Sequence, residues 1–225
     1  MLRLALKGAL ARRLRLGLTA ASIIIGVAFV SGTLVLTDTL NSTFDTIFGN
    51  AGKGVSVVVR GQQAFNGGGN NGPVDERGLV PDAVLQTVRR VPGVSSAIGI
   101  ADGYAQLVFK GKAVVNGGAP NLGTAWAGNT PANPLHLVRG RAPAIAGEVV
   151  IDQKSADKFR IAVGSAADVV VSGRTLPVTV VGVVRYGQNS TLAGATLTAF
   201  SPRQAQEQLL GTAGSWTTVQ ASSRP

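Results

Sequence analysis

The chain has 225 residues, 21 basic against 11 acidic, a net charge of +10 and no cysteine. Lacking thiols, it can form no disulfide, thiolate metal site or cysteine nucleophile, so a folded domain must depend on its own apolar core. The bases Arg3, Lys7, Arg12, Arg13 and Arg15 all precede the first acid, and the others are spread thinly without interleaved stacking aromatics. That distribution argues against nucleic acid as a partner.

Residues 1–15 read as a basic amphipathic segment on the cytoplasmic side, with Leu2, Leu6, Leu10 and Leu14 four apart. Residues 16–37 carry no charge. As a helix they would be about 33 Å long at 1.5 Å per residue, enough to cross a hydrocarbon core of about 30 Å. Bases concentrated before the span keep the N-terminus cytoplasmic and place the rest of the chain outside. A cleaved signal peptide has a shorter apolar region and ends at a small-x-small site. Neither feature fits the run into Leu34-Val35-Leu36-Thr37-Asp38, so the span is expected to be retained in the lipid bilayer. Within it, Ser22 and Gly26 are four apart, as are Ala28 and Gly32, a spacing that lets another helix approach. Thr19 and Thr33 can bond back to their own helix and need not mark a polar path.

Leu40, Phe44, Ile47 and Phe48 extend the helical spacing into a stalk over 38–50, ending near Gly49-Asn50. The domain over 51–225 follows. Strands are expected at 54–60, 94–100, 104–109, 148–152, 196–200 and 216–221, with a short one at Val114-Val115. A hairpin about Gly173-Arg174 joins 168–172 to 178–185. Helices are expected at 81–91 and 153–159. A third opens with a capping box at Ser201-Pro202-Arg203-Gln204 and runs to Leu210. Asn66–Gly72 reads as a glycine-rich loop, and 117–143, rich in Gly, Pro and Asn, as irregular. The order predicts an α+β fold, one transmembrane helix followed by a mixed α/β extracytoplasmic domain whose irregular middle divides it into two loose lobes.

The search for chemistry finds little. His136, the single histidine, lies between Leu135 and Leu137 and reads as a partly buried structural residue. One histidine and no cysteine leave a conventional zinc site without ligands. Gly52-Lys53-Gly54 and Gly111-Lys112-Ala113 lack the P-loop spacing, and no G-x-S-x-G occurs. The acids, Asp75, Glu76, Asp82, Asp102, Glu148, Asp152, Asp157 and Asp168, show no spacing that favours a glycosidase pair. The expectation is a protein that is not an enzyme, with no catalytic, cofactor-binding or metal residues and no cofactor.

Several stretches taken together resemble a known family. Residues 11–19 and 25–34 are similar to the first membrane helix of MacB/FtsX-type ABC transporter permeases, most closely an actinobacterial-like group. Val91-Pro92-Gly93-Val94, Leu137-Val138-Arg139-Gly140-Arg141-Ala142-Pro143, Gly147-Glu148-Val149-Val150-Ile151-Asp152, Val163-Gly164 and the run 177–183 resemble the family's extracytoplasmic MacB-like core domain. The resemblance implies a permease component that works with a cytoplasmic ABC ATPase subunit. It also implies further permease helices or a second permease in the same bilayer. Motion would pass through the stalk to the outer domain, for export or mechanotransmission. Arg12, Arg13 and Arg15 would anchor the cytoplasmic edge, and Ser22, Gly26, Ala28 and Gly32 would pack against neighbouring helices. Family permeases return to the membrane after this domain, so a chain ending at Pro225 is expected to be an N-terminal fragment, a split gene product or a truncated relative of such a protein. The alternative is a free-standing single-pass membrane-anchored extracytoplasmic binding or interaction domain.

Overall fold

The computed structural model describes residues 13–51, 55–62, 77–117, 119–192 and 194–223. Residues 1–12 of the expected amphipathic segment, Arg12 among them, and the glycine-rich loop at 66–72 lie outside the described residues. The chain divides into two compact units between Thr46 and Ile47.

Helix α1, Arg13–Ala51, is unbroken over 39 residues, and its part up to Thr46 belongs to the first unit. Its stretch Gly17–Val35 is long and apolar enough to cross a membrane. Large apolar side chains there, Leu18, Ile23, Ile24, Ile25, Val27 and Phe29 among them, are exposed on every face. A helix that is apolar all round has its solvent in lipid or in other helices. The Thr19 and Thr33 hydroxyls donate to the carbonyls of Arg15 and Phe29, each at 2.9 Å, which satisfies them within the helix.

The second unit runs β1 (Val57–Arg60), β2 (Val80–Pro81), α2 (Asp82–Arg89), β3 (Val94–Ile100), β4 (Gly103–Tyr104), β5 (Gln106–Phe109), β6 (Lys112–Ala113), β7 (Asn121–Ala125) and β8 (Leu135–Gly140). It continues with β9 (Glu148–Asp152), α3 (Gln153–Phe159), β10 (Ala166–Val171), β11 (Arg174–Tyr186), β12 (Thr196–Phe200), α4 (Pro202–Leu209), β13 (Ser215–Trp216) and β14 (Thr218–Ser223). Three strands form a small antiparallel sheet in the order β1-β14-β3, and β2 pairs with β13. The others form a nine-stranded sheet, β4-β7-β12-β9-β11-β10-β5-β6, with β8 added to β11.

The two ends of that order are one stretch of chain. β4 and β5 are separated by Ala105 alone; the first half pairs with β7 and the second with β10. The sheet therefore closes on itself as a small barrel, with β6 and β8 as additions, and closure removes the exposed edges of its staves. β9 is buried at every residue because both its faces are covered: Val149 and Ile151 join the main core, Val150 a second cluster with Leu135, Val184 and Leu197. The main core spans both sheets, from Ala97 and Val219 of the small one to Val149, Val183 and Phe200 of the barrel.

Several expectations are corrected. The segment 117–143 holds two strands, β7 and β8, rather than irregular chain. β7 (Asn-Leu-Gly-Thr-Ala) has no β-branched run; its neighbours β12 and β4 make it a strand. The expected division into two lobes at that segment is not found: residues 47–225 form one compact unit whose main core is common to both sheets, and the seam between the sheets falls where β3 passes into β4, at 100–103. The short strand expected at Val114-Val115 is Lys112–Ala113, set by a hairpin turn in which Lys110 and Gly111 both have positive φ. Val114 is fully buried instead, its N–H donating to Leu107 O at 2.8 Å. The later hairpin turns at Ser172-Gly173, since Val171 pairs with Arg174. The capping box at α4 does not form: Ser201 makes no side-chain cap, and Gln204 Oε1 is buried without a partner among the described residues. His136 is exposed rather than partly buried, because β8 flanks only the far end of β11 and no described residue covers that side chain.

Candidate functional site

The first candidate is the apolar stretch of α1. At about 100° per residue, Ser22 and Gly26 share one face and Ala28 and Gly32 another, about 120° away. A Cβ added at Gly26 or Gly32 would meet nothing within 4 Å, so both small-residue faces are open for a neighbouring helix. Arg15 lies exposed two residues before the apolar stretch, and Arg13 begins the helix.

The second candidate is a clasp around β11, where the scattered motifs meet. Gly140 of β8 is in register with Gly182 of β11. Gly140 has a φ of +76°, and a Cβ there would lie 2.3 Å from Val181 O; one at Gly182 would lie 2.5 Å from Arg141 O. Arg141 N–H donates to Val181 O at 2.9 Å, Thr179 N–H to Gly147 O at 2.7 Å, and Gly164 N–H to Val180 O at 2.7 Å. Arg141 then grips Glu148 with two guanidinium nitrogens, Nη1 to Oε2 at 2.7 Å and Nη2 to Oε1. The amide of Ala144 donates to the same carboxylate at 3.0 Å. The bond from Arg141, then that from Ala144, hold the Glu148 carboxyl down at about 2.

A third set of contacts ties the seam. Trp216 Nε1 donates to Asp82 Oδ1 at 2.9 Å, and the indole ring lies over Gly99, where a Cβ would come within 2.2 Å of it. That bond, helped by Gln86, lowers the Asp82 pKa. Asp102 N–H, in the link between β3 and β4, donates to the hydroxyl of Thr217, which lies between β13 and β14, at 2.9 Å. Asp152, buried at the start of α3, accepts from Ser155 N–H at 2.8 Å and Leu197 N–H at 3.0 Å. Its burial raises the carboxyl pKa against those bonds. Asp157 pairs with Arg139 at 2.8 Å across an exposed surface.

Beside the seam lies a cavity of about 440 Å³, lined from the barrel by Leu122, Leu135 and Leu197 and from the small sheet by Ile100 and Gln220. Asp102, Thr124 and Tyr186 contribute polar groups to it. Asp102 is open to solvent at the wall yet has protein on most sides. That environment raises its pKa, opposed by the Thr124 side chain, and the Tyr186 phenol is raised by burial and by the Asp102 charge. Sequence reasoning singled out neither Thr124 nor Tyr186, and counted Asp102 only among the acids. No sequence signal joins residues that far apart; only the pairing of β4 with β7 and the long β11 brings them to one wall.

An apolar helix able to span a bilayer, joined to a two-sheet α+β domain, defines the class: a membrane-anchored extracytoplasmic domain. The MacB-like periplasmic core domain model matches residues 16–224, and the chain belongs to that family, the periplasmic domain of MacB/FtsX-type ABC transporter permeases. The periplasmic region of MacB from Actinobacillus actinomycetemcomitans is similar in fold at 15% identity, with a TM-score of 0.50 over 76% of this chain and 76% of that one. The extracellular domain of the noncanonic ABC-type transporter YknZ from Gram-positive bacteria aligns at 16% identity and a TM-score of 0.46, over 65% of this chain and 74% of that one. No curated protein matches.

Proposed function

We propose that the chain is the N-terminal, membrane-entering part of an ABC permease that couples a cytoplasmic ATPase to its extracytoplasmic domain, for export or mechanotransmission. The observation that carries this reading is the continuity of α1. Its 39 residues run unbroken from Arg13 to Ala51. At 1.5 Å per residue that is about 58 Å, well beyond the roughly 30 Å hydrocarbon core. A helix that long is a stiff element able to carry displacement from one side of a bilayer to the other. Family membership supports the same reading. In it, Arg12, Arg13 and Arg15 hold the cytoplasmic edge, the small-residue faces receive further permease helices or a second permease, and the chain performs no chemistry of its own.

The test has two arms. The chain has no cysteine, so a single one at Lys7→Cys or Asp168→Cys can be labelled in intact cells with a membrane-impermeant maleimide. Labelling of the second alone supports a cytoplasmic N-terminus, and labelling of both or of the first alone refutes it. Affinity purification in mild detergent is then expected to bring down an ABC ATPase whose turnover changes when the chain is present. A chain that purifies alone, with no effect on any ATPase, would instead be the free-standing anchored domain.

A further inference from the structure

The permease reading makes no use of the cavity beside the seam, and its chemistry is specific. Leu122, Leu135 and Leu197 give it an apolar lining from the barrel, and Ile100 adds to that lining from the small sheet. Among the described residues, Asp102 is the one charged residue that lines it, and Tyr186 the one other titratable residue. Among the described residues no lysine, arginine or histidine lines it, and no ion pair reaches Asp102.

We propose that this cavity is a binding site for a small organic monocation, an alkyl- or arylalkylammonium, whose charged head pairs with Asp102 while its apolar body lies on Leu122, Leu135 and Leu197. An anion would face Asp102 with no basic group to receive it. A neutral apolar guest would cover the carboxylate and strip its water without replacing it, which is costly for a charge. A monocation satisfies both features at once, supplying charge-assisted hydrogen bonds to the carboxylate and area to the leucines. The volume of about 440 Å³ equals the share of about fifteen waters at roughly 30 Å³ each, which sets the guest at about ten to twenty non-hydrogen atoms. Because Ile100 and Gln220 come from the small sheet and the other walls from the barrel, an occupant bridges the two sheets across their seam.

The experiment is isothermal titration calorimetry on the full chain in phosphatidylcholine nanodiscs, with empty nanodiscs subtracted. Phenethylammonium is compared with its uncharged isostere, phenethyl alcohol. The ammonium is expected to bind about tenfold more tightly, the effect of one charge-assisted hydrogen bond. Asp102→Asn brings the two to within about threefold. On the unaltered protein, ammonium affinity falls as the pH is lowered through the raised Asp102 pKa, since a proton then competes for the carboxylate, and alcohol affinity stays level. The pH series requires no variant, so it decides the matter even where Asp102→Asn fails to fold. Equal binding of the two compounds, binding of neither, or ammonium affinity independent of pH overturns the proposal.

Discussion

Gly140 and Gly182 sit opposite one another across β8 and β11, so close that a methyl group on either would strike backbone of the facing strand. This pair joins the Arg139-Gly140-Arg141 stretch to the Val181-Gly182-Val183 stretch, more than forty residues apart in the chain. Arg141 then reaches Glu148 from the same corner. Four of the five stretches that resemble the family's core domain thus meet in one clasp, and Val91-Pro92-Gly93-Val94 lies apart from it, where α2 passes into β3. Gly140→Ala adds a positive-φ penalty to a clash with Val181 O, and the expected loss is about 2–4 kcal/mol. Chemical denaturation should show a lower midpoint with an unchanged slope.

Glu148 predicts a pH signature. Its folded pKa is about 2 against the usual 4.5, so the folded state binds fewer protons than the unfolded one between those values. The stabilisation is complete above pH 4.5 and is lost as the pH falls toward 2. Melting temperatures of the protein and of Glu148→Gln should differ at pH 7 and converge near pH 2. A gap that stays constant with pH would show that packing, not charge, carries the contact.

Asp152 caps α3 and also fixes β12 through Leu197 N–H. Asp152→Ala leaves two buried donors without acceptors, a loss of about 2–4 kcal/mol by the combined costs of a helix cap and an orphaned amide. Asp152→Asn keeps one acceptor oxygen and should fall between. Hydrogen exchange at Leu197 separates this account from simple loss of helix, because that amide should lose protection in the alanine variant.

Trp216 rests on Gly99 and donates to Asp82, which makes its indole a reporter of the seam. Gly99→Ala should push the ring off its seat, costing about 1–3 kcal/mol as an overpacked contact. Tryptophan emission should move to the red as the ring gains water. Trp126 also emits, so the comparison is made in Trp126→Phe. An unchanged spectrum would mean the ring does not depend on that glycine.

On α1, Gly26→Leu and Gly32→Leu fill the two small-residue faces. Each should weaken association with its own partner helix, and the double variant should lose both, by cross-linking in membranes. The fold of the second unit, followed by circular dichroism, should not change. Variants that associate as well as the parent would remove those faces from the permease reading.

The sequence alone determined the apolar span, the helical continuation to near Gly49-Asn50, and elements whose residues carry the signal locally. β3, β9, α3 and β12 fall at their expected bounds, because alternating or β-branched runs and an Asp cap act over a few residues. Tertiary structure decided what depends on a partner. β7 and β8 are strands because other strands hydrogen-bond to them, and His136 is exposed because its strand is an edge. At Gly182 the pairing of β11 with β9 slips, so Val180 and Val183 face one cluster while Val181 and Val184 face the other, a change of alternation that no run of residues announces. Closure of the barrel through Ala105 and the meeting of Asp102, Thr124 and Tyr186 at one wall arise the same way. They are set by long-range pairing, whereas periodicity reports only which face of an element is apolar.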